Sequence, residues 1–141
     1  AQSLMPFLLN GACPLDEYCH IFPGITLEFF KIDILILSPR GIFVICLPDR
    51  HLEKESRQMA SEMKKLWQRC HMIRMMLEKG YSRNIMPIPL VAQSGSRAFD
   101  YNGVTVVPPE QVSEYISQYD SELEGDMVKS FAAFLAQRYL R

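Results

Sequence analysis

The stretch that decides the fold reads KIDILILSPRGIFVI and spans residues 31–45. Its first half alternates isoleucines at even positions with Asp33 and two leucines at odd positions, so both faces of this strand are largely apolar. Strands that are apolar on both faces lie in the interior of a sheet. Residues 38–41, Ser-Pro-Arg-Gly, predict a turn, and residues 42–47 predict a second strand buried on both sides. Because the connection is short, the two strands should form an antiparallel hairpin.

A long helix is predicted after this hairpin, over residues 52–79, with Asp49 as a cap and Gly80 as its terminator. Apolar residues recur at steps of three and four along it, which predicts one buried stripe packed on the sheet. That stripe consists of Met59, Met63, Leu66, Cys70, Ile73 and Leu77.

Further strands are predicted at residues 18–27, 88–92 and 104–107, and two shorter helices follow the last of them. A helical crossover between the hairpin and the later strands indicates a mixed sheet. The expected fold class is therefore α/β (α+β), with a mixed β-sheet flanked by the long helix and the C-terminal helices.

The length of 141 residues favours one domain, predicted here over residues 18–141, after an irregular N-terminal segment at residues 1–17. The net charge of −1 gives no global argument for nucleic acid or for an anionic membrane. No apolar stretch approaches the ~20 residues of a membrane span, and the start lacks the features of a signal peptide. We therefore expect a cytoplasmic protein with no membrane contact from this segment.

The hairpin sequence 31–45 resembles the nuclease-related domain (NERD) family, which has the restriction-endonuclease-like PD-(D/E)xK fold. The resemblance extends through the long helix and through residues 86–91 and 104–110, and so covers most of residues 18–118. It implies a restriction-endonuclease-like core. Members of the family usually also have an N-terminal helix with an acidic residue, and residues 1–16 contain no convincing one.

In that family an Asp on the first hairpin strand and a Glu-x-Lys on the second surround a divalent metal. Asp33 matches the first position, but Cys46 and Pro48 occupy the expected Glu and Lys positions. A neutral thiol is a poor Mg²⁺ ligand, and proline offers neither a charge nor a donor. Asp33 is therefore interpreted as a relic of the catalytic motif. No metal or other cofactor is expected, unless migrated groups such as Glu53 and Lys54 rebuild a Mg²⁺ or Mn²⁺ site with Asp33.

A structural role for Asp33 is the alternative to a metal-binding one. A buried carboxylate must be paired, hydrogen-bonded or neutral. Lys31, Arg40 or a backbone amide could satisfy it, and we favour this interpretation where no metal is bound.

The long helix is the candidate for a nucleic-acid contact, because residues 51–80 carry a net charge of +3 while residues 110–141 carry −3. The residues predicted to contact nucleic acid are Lys54, Arg57, Lys64 and Lys65. An ordinary solvated helix face explains the same charges and is the favoured interpretation.

Four cysteines, Cys13, Cys19, Cys46 and Cys70, are spaced widely and without a CxxC pair. Two of them precede a histidine directly, which suggests zinc, but adjacent residues on a strand point to opposite faces. We expect reduced thiols, partly buried in the core. A Cys-His hydrolase built on Cys46 is a further, less favoured alternative.

These observations predict a catalytically degenerate nuclease-related domain that acts as a non-enzymatic binding module for protein or nucleic acid. Its expected partners are another protein or other domains of a longer chain, with DNA as a further candidate. The alternative is a divergent Mg²⁺- or Mn²⁺-dependent DNA endonuclease with migrated active-site residues.

Overall fold

The computed structural model describes residues 18–95, 97–120 and 122–140. Six strands are present in this part of the chain: β1 (His20–Leu27), β2 (Phe30–Ser38), β3 (Gly41–Cys46), β4 (Ile88–Ala92), β5 (Phe99–Tyr101) and β6 (Val104–Val107). The helices are α1 (Arg57–Tyr81), α2 (Val112–Ser117) and α3 (Gly125–Tyr139), and a single 3-10 turn (Pro109–Gln111) precedes α2.

All six strands form one sheet in the order β1-β2-β3-β4-β6-β5. The β1, β2 and β3 strands are antiparallel neighbours, as the hairpin pattern predicts. Helix α1 then crosses over so that β4 lies parallel to β3, and β6 lies parallel to β4. The sheet is mixed and the fold class is α+β, which confirms the predicted architecture and is consistent with a restriction-endonuclease-like layout.

Helices cover both faces of the sheet, and the alternation along β2 assigns its side chains to two cores. Leu35 and Leu37 belong to a cluster that includes the buried faces of α1 and α3. Ile34 and Ile36 belong to a second cluster that includes the buried residues of α2. The central strands are thus apolar on both sides because each face lies under a different helical layer.

Helix α1 buries all six residues of the predicted stripe, but it begins five residues later than expected. Its N-cap is Ser56, whose hydroxyl accepts a hydrogen bond from Met59 N at 3.0 Å, so the prediction of Asp49 as a cap is wrong. Its C-cap is Ser82 in the left-handed region, two residues past the expected stop at Gly80. The residue that initiates the helix is the one whose side chain can reach the free amides of the first turn.

Strand β5, which a tight turn connects to β6, is absent from the predicted elements. Asn102 and Gly103 both have positive φ, of 50° and 79°, and connect β5 to β6. Asn-Gly is the pair that two-residue hairpin turns of this kind prefer. The three residues of β5 were too few to show a strand pattern.

The predicted irregular segment 1–17 lies outside the described residues. In the part of the chain that the structure describes, no helix combines the length and the apolar character needed to cross a bilayer.

Candidate functional site

A cleft of about 440 Å³ opens where β2 begins and β3 ends, beneath the first half of α1. Its lining includes the strand residues Asp33 and Cys46, the segment from Leu47 to Arg50, and Glu62 of α1. The hairpin and the residues after it therefore place the predicted motif positions, Asp33, Cys46 and Pro48, in one cleft together with side chains from α1.

Asp33 is partly buried in β2, and its carboxylate accepts a hydrogen bond from Leu47 N at 2.8 Å. Of the partners proposed for it from the sequence, a backbone amide is the one observed. This bond ties the start of β2 to the first residue after β3. It also gives the carboxylate a structural role that requires no metal.

Cys46 ends β3, and extending the β2–β3 register by one pair places it opposite Asp33. Burial raises the pKa of the Cys46 thiol to about 12, and the nearby negative charges of Asp33 and Glu62 add to the shift. The thiol is therefore protonated at neutral pH, which makes it a poor metal ligand and a poor nucleophile. Because no histidine lines the described cleft, the geometry gives no support to a Cys-His hydrolase.

Pro48 lies on the cleft wall at the position expected for the catalytic lysine. The loop beyond it is anchored by Gln93, whose side chain accepts from Leu52 N at 2.6 Å and donates to Leu52 O at 3.1 Å. Gln93 is buried and follows β4 directly. The β3–α1 loop is thus fixed to the centre of the sheet and holds this wall of the cleft in place.

Glu62 and Lys65 of α1 line the cleft, although neither was singled out as a catalytic candidate from the sequence. Lys65 Nζ lies 3.5 Å from Glu62 Oε2, and Glu62 Oε1 lies 4.0 Å from Cys46 Sγ. An acidic and a basic side chain therefore line the same cleft as Asp33, from the helix instead of the strand.

Arg69 joins α1 to the start of β2. Its Nε donates to Lys31 O at 2.7 Å and its Nη1 donates to Lys65 O at 2.8 Å, while the guanidinium carbon lies 5.4 Å from the centre of the Phe30 ring. These contacts fix a cation at the cleft wall. Lys31 and Arg50 also line the cleft, and within the described residues neither forms an ion pair.

The migrated pair proposed from the sequence does not reach the cleft. Glu53 is 79% exposed and lies 3.7 Å from His51, and Lys54 Nζ lies 5.5 Å above the Phe99 ring. Both precede α1, so the assumption that Lys54 occupies its first turn is wrong. Residues 52–56 form a connection that leads these side chains away from Asp33.

The predicted nucleic-acid residues are distributed over different surfaces. Lys65 lines the cleft, whereas Arg57 and Lys64 are exposed on α1 outside the cleft lining, and Lys54 lies near β5. The long helix therefore does not present the four cations as one continuous patch facing the cleft.

A periodicity in the sequence could have identified the helical side chains of the cleft. Glu62, Lys65 and Arg69 are spaced by three and four, and each directly precedes a member of the buried stripe. Polar residues at that offset lie along one border of the buried face. They therefore face the margin of the sheet that the helix covers, where a cleft can form.

The donor set at the cleft does not match what a divalent cation of the Mg²⁺ type requires. Such ions take several oxygen ligands, and here the family's second carboxylate and lysine positions hold the protonated thiol of Cys46 at the end of β3 and Pro48 in the loop beyond it. Over the described ranges, no three His, Cys, Asp or Glu side chains converge to hold a metal.

The cysteines differ in part from the expectation of reduced thiols. Cys46 and Cys70 are free, but Cys19 is disulfide-bonded, so that part of the prediction is wrong. Cys13 lies outside the described residues. A disulfide sulfur is not available as a thiolate, which leaves the Cys19-His20 pair without a zinc ligand at position 19.

Comparison with known proteins gives this chain no family assignment of its own: no protein-family model matches it, and no curated protein matches it.

Proposed function

We propose that this chain is a catalytically degenerate nuclease-related domain that works as a non-enzymatic binding module. The observation that carries the proposal is the hydrogen bond from Leu47 N to Asp33, made where a nuclease would need that carboxylate for a metal. The protonated thiol of Cys46 and the ring of Pro48 supply neither the second carboxylate nor the cation of the family motif. The fold and the cleft then serve recognition rather than hydrolysis.

Nucleic acid is the ligand class that the cleft favours over protein. Four cations line it, Lys31, Arg50, Lys65 and Arg69, against the three acids Asp33, Asp49 and Glu62. Glu62 is engaged by Lys65, and the Asp33 carboxylate accepts from a backbone amide. Lys31 and Arg50 therefore remain available for a phosphate group, and phosphate contacts dominate the affinity of such interfaces.

A plasmid-cleavage assay in Mg²⁺ and in Mn²⁺ tests the absence of catalysis. We expect no metal-dependent cutting by the wild-type chain, and isothermal titration should detect no tight Mn²⁺ binding that depends on Asp33. The matched control is Asp120→Asn, which removes an exposed carboxylate outside the cleft. Cutting that disappears in Asp33→Asn and persists in Asp120→Asn would overturn the proposal.

A divergent nuclease is the second candidate, and one observation favours it: Glu62 and Lys65 line the same cleft as Asp33. This pair, rather than Glu53 and Lys54, would have to replace the missing Glu and Lys. The cleavage assay then has a specific signature, because activity should be lost in Glu62→Gln as well as in Asp33→Asn.

A cytoplasmic location is proposed from the composition, and the Cys19 disulfide argues against it. Disulfides persist mainly in oxidising compartments. Mass spectrometry of the protein alkylated in its native compartment decides the point. A free Cys19 thiol supports the cytoplasm, and an oxidised one favours an oxidising compartment instead.

A further inference from the structure

The turn between β1 and β2 presents one aromatic side chain fully to solvent. Glu28 and Phe29 form a two-residue connection between the paired residues Leu27 and Phe30. Phe29 is 96% exposed, far more than the next large apolar side chain among the described residues, Met75 at 54%. A phenylalanine placed this way contributes nothing to the core and leaves a large apolar ring in water.

The turn is held rigidly rather than left loose. Glu28 has a φ of 56°, in the left-handed region that residues with a Cβ rarely adopt. Its carboxylate accepts from Tyr139 Oη at 2.6 Å and lies 3.6 Å from Arg138 Nη2, so the end of α3 secures it. The backbone that carries the ring is therefore secured by α3, so ordering this backbone costs little entropy when the ring binds.

The cationic cleft begins two residues after Phe29 in the chain, at Lys31. Phe30, the residue after Phe29, lies under the guanidinium of Arg69, and Lys31 follows it. Both Lys31 and Arg69 line the cleft. Two residues span at most ~7 Å of backbone, so the Cα atoms of Phe29 and of the cleft residue Lys31 are no further apart than about one nucleotide of a single strand.

We propose that the β1–β2 turn and the cleft together bind single-stranded nucleic acid, with a base stacked on Phe29 and the backbone phosphates against Lys31 and Arg50. The inference rests on the proposed binding function and names its ligand class. Stacking platforms next to basic grooves are the physical basis of single-strand binding, and they tolerate any base because each has a π face. A ring at the tip of a turn reaches only bases whose faces are free, and a duplex offers these at its ends alone.

Fluorescence anisotropy with a labelled oligothymidylate of about 20 nucleotides, in EDTA, measures this binding directly. We expect tighter binding to the single strand than to the same length of duplex. Phe29→Ala should weaken single-strand binding roughly tenfold, within the range of one lost base stack. Phe29→Trp should retain the affinity, because an indole stacks at least as well.

Phe134→Ala is the matched control, since it removes another exposed phenylalanine, on α3. It should leave the affinity unchanged. Duplex binding equal to or stronger than single-strand binding, or an unchanged affinity in Phe29→Ala, overturns the inference. A dimer in sedimentation velocity that Phe29→Ala converts to monomer also overturns it, because the ring would then serve contact between copies of the chain.

The two proposals fail in distinguishable ways. Metal-dependent plasmid cleavage contradicts the binding-module function, while the EDTA measurement with Phe29 variants still decides the inference. Absence of oligonucleotide binding together with absence of cleavage overturns the inference alone and leaves a protein partner for the module.

Discussion

At the scale of single residues, Asp33 combines a position typical of a metal ligand with a bond typical of structural support. The sequence was sufficient to identify Asp33 as the acid of the family motif and to name a backbone amide among its candidate partners. It was not sufficient to identify Leu47 as the donor, because that contact depends on how β3 ends. The sequence likewise placed Glu53 and Lys54 near Asp33 by proximity along the chain, whereas helical geometry brings Glu62 and Lys65 there.

Replacing Asp33 should therefore reduce stability by an amount that depends on whether the new side chain still offers an acceptor to Leu47 N. Asp33→Ala leaves the partly buried Leu47 N–H unpaired, and we expect a loss of ~1–3 kcal/mol in the free energy of unfolding. Asp33→Asn keeps an oxygen acceptor and should cost clearly less. Urea titration of both variants, beside the exposed Asp120→Ala, measures the difference. Equal losses of unfolding free energy in the two Asp33 variants would show that the hydrogen bond is not how Asp33 stabilises the fold.

The raised pKa of the Cys46 thiol predicts that stability falls at alkaline pH. Burial, with Asp33 and Glu62, raises the pKa of its thiol to about 12 in the folded state, above the ordinary value of 9.0. The stability that the protonated thiol contributes is fully present below pH 9.0 and is lost as the pH rises toward 12, by up to ~1.4 kcal/mol per pH unit.

Cys46→Ala should flatten this decline relative to the wild type when urea unfolding is followed from about pH 8 to pH 10.5. The buried thiol of Cys70 has a pKa of about 12 as well, so part of the decline should persist in the variant. Parallel profiles for the two proteins would contradict the shift at Cys46.

At the scale of elements, strong periodicity made the hairpin and the buried face of α1 predictable, while capping and loop contacts did not follow from it. Residues 52–56 continue the polar and apolar spacing of a helix, yet Glu55 has a φ of 66° and Ser56 supplies the cap. Gln93, which belongs to none of the predicted elements, is buried and bonded to Leu52. The helix start depends on which side chain reaches the amides of the first turn, and the Gln93 bond joins residues 41 positions apart, so neither follows from the spacing of apolar residues.

Gln93→Leu should loosen the β3–α1 loop. The substitution removes both hydrogen bonds to the Leu52 backbone, and the expected loss of stability is ~1–3 kcal/mol. Amides of residues 47–56 should exchange with deuterium faster, while those of β4 keep most of their protection. Gln68→Leu, on the exposed side of α1, is the control and should change neither quantity. Unchanged exchange over residues 47–56 would mean that other contacts hold the loop.

At the scale of the whole molecule, opposite charges are concentrated in different halves of the chain, and the fold decides which cations can act together. The excess of +3 over residues 51–80 can be read from the sequence, and a solvated helix face was the simplest location for it. In the structure, cations of β2, the β3–α1 loop and α1 surround one cleft instead, namely Lys31, Arg50, Lys65 and Arg69. This arrangement depends on the crossover of α1, which no local pattern specifies.

Two double variants with identical charge change separate the cleft from the helix surface. Lys31→Gln with Arg50→Gln removes two cations of the cleft, and Arg57→Gln with Lys64→Gln removes two exposed cations outside it. Each phosphate contact with a single strand contributes about 0.7 to the slope of log affinity against log salt. The cleft pair should therefore reduce that slope by about 1.4 in oligothymidylate binding, while the helix pair leaves it nearly unchanged. A reduced slope in the helix pair alone would assign binding to the solvated face of α1. Equal reductions of the slope in both pairs would indicate a nonspecific response to net charge. Only a localised site distinguishes two variants of the same total charge.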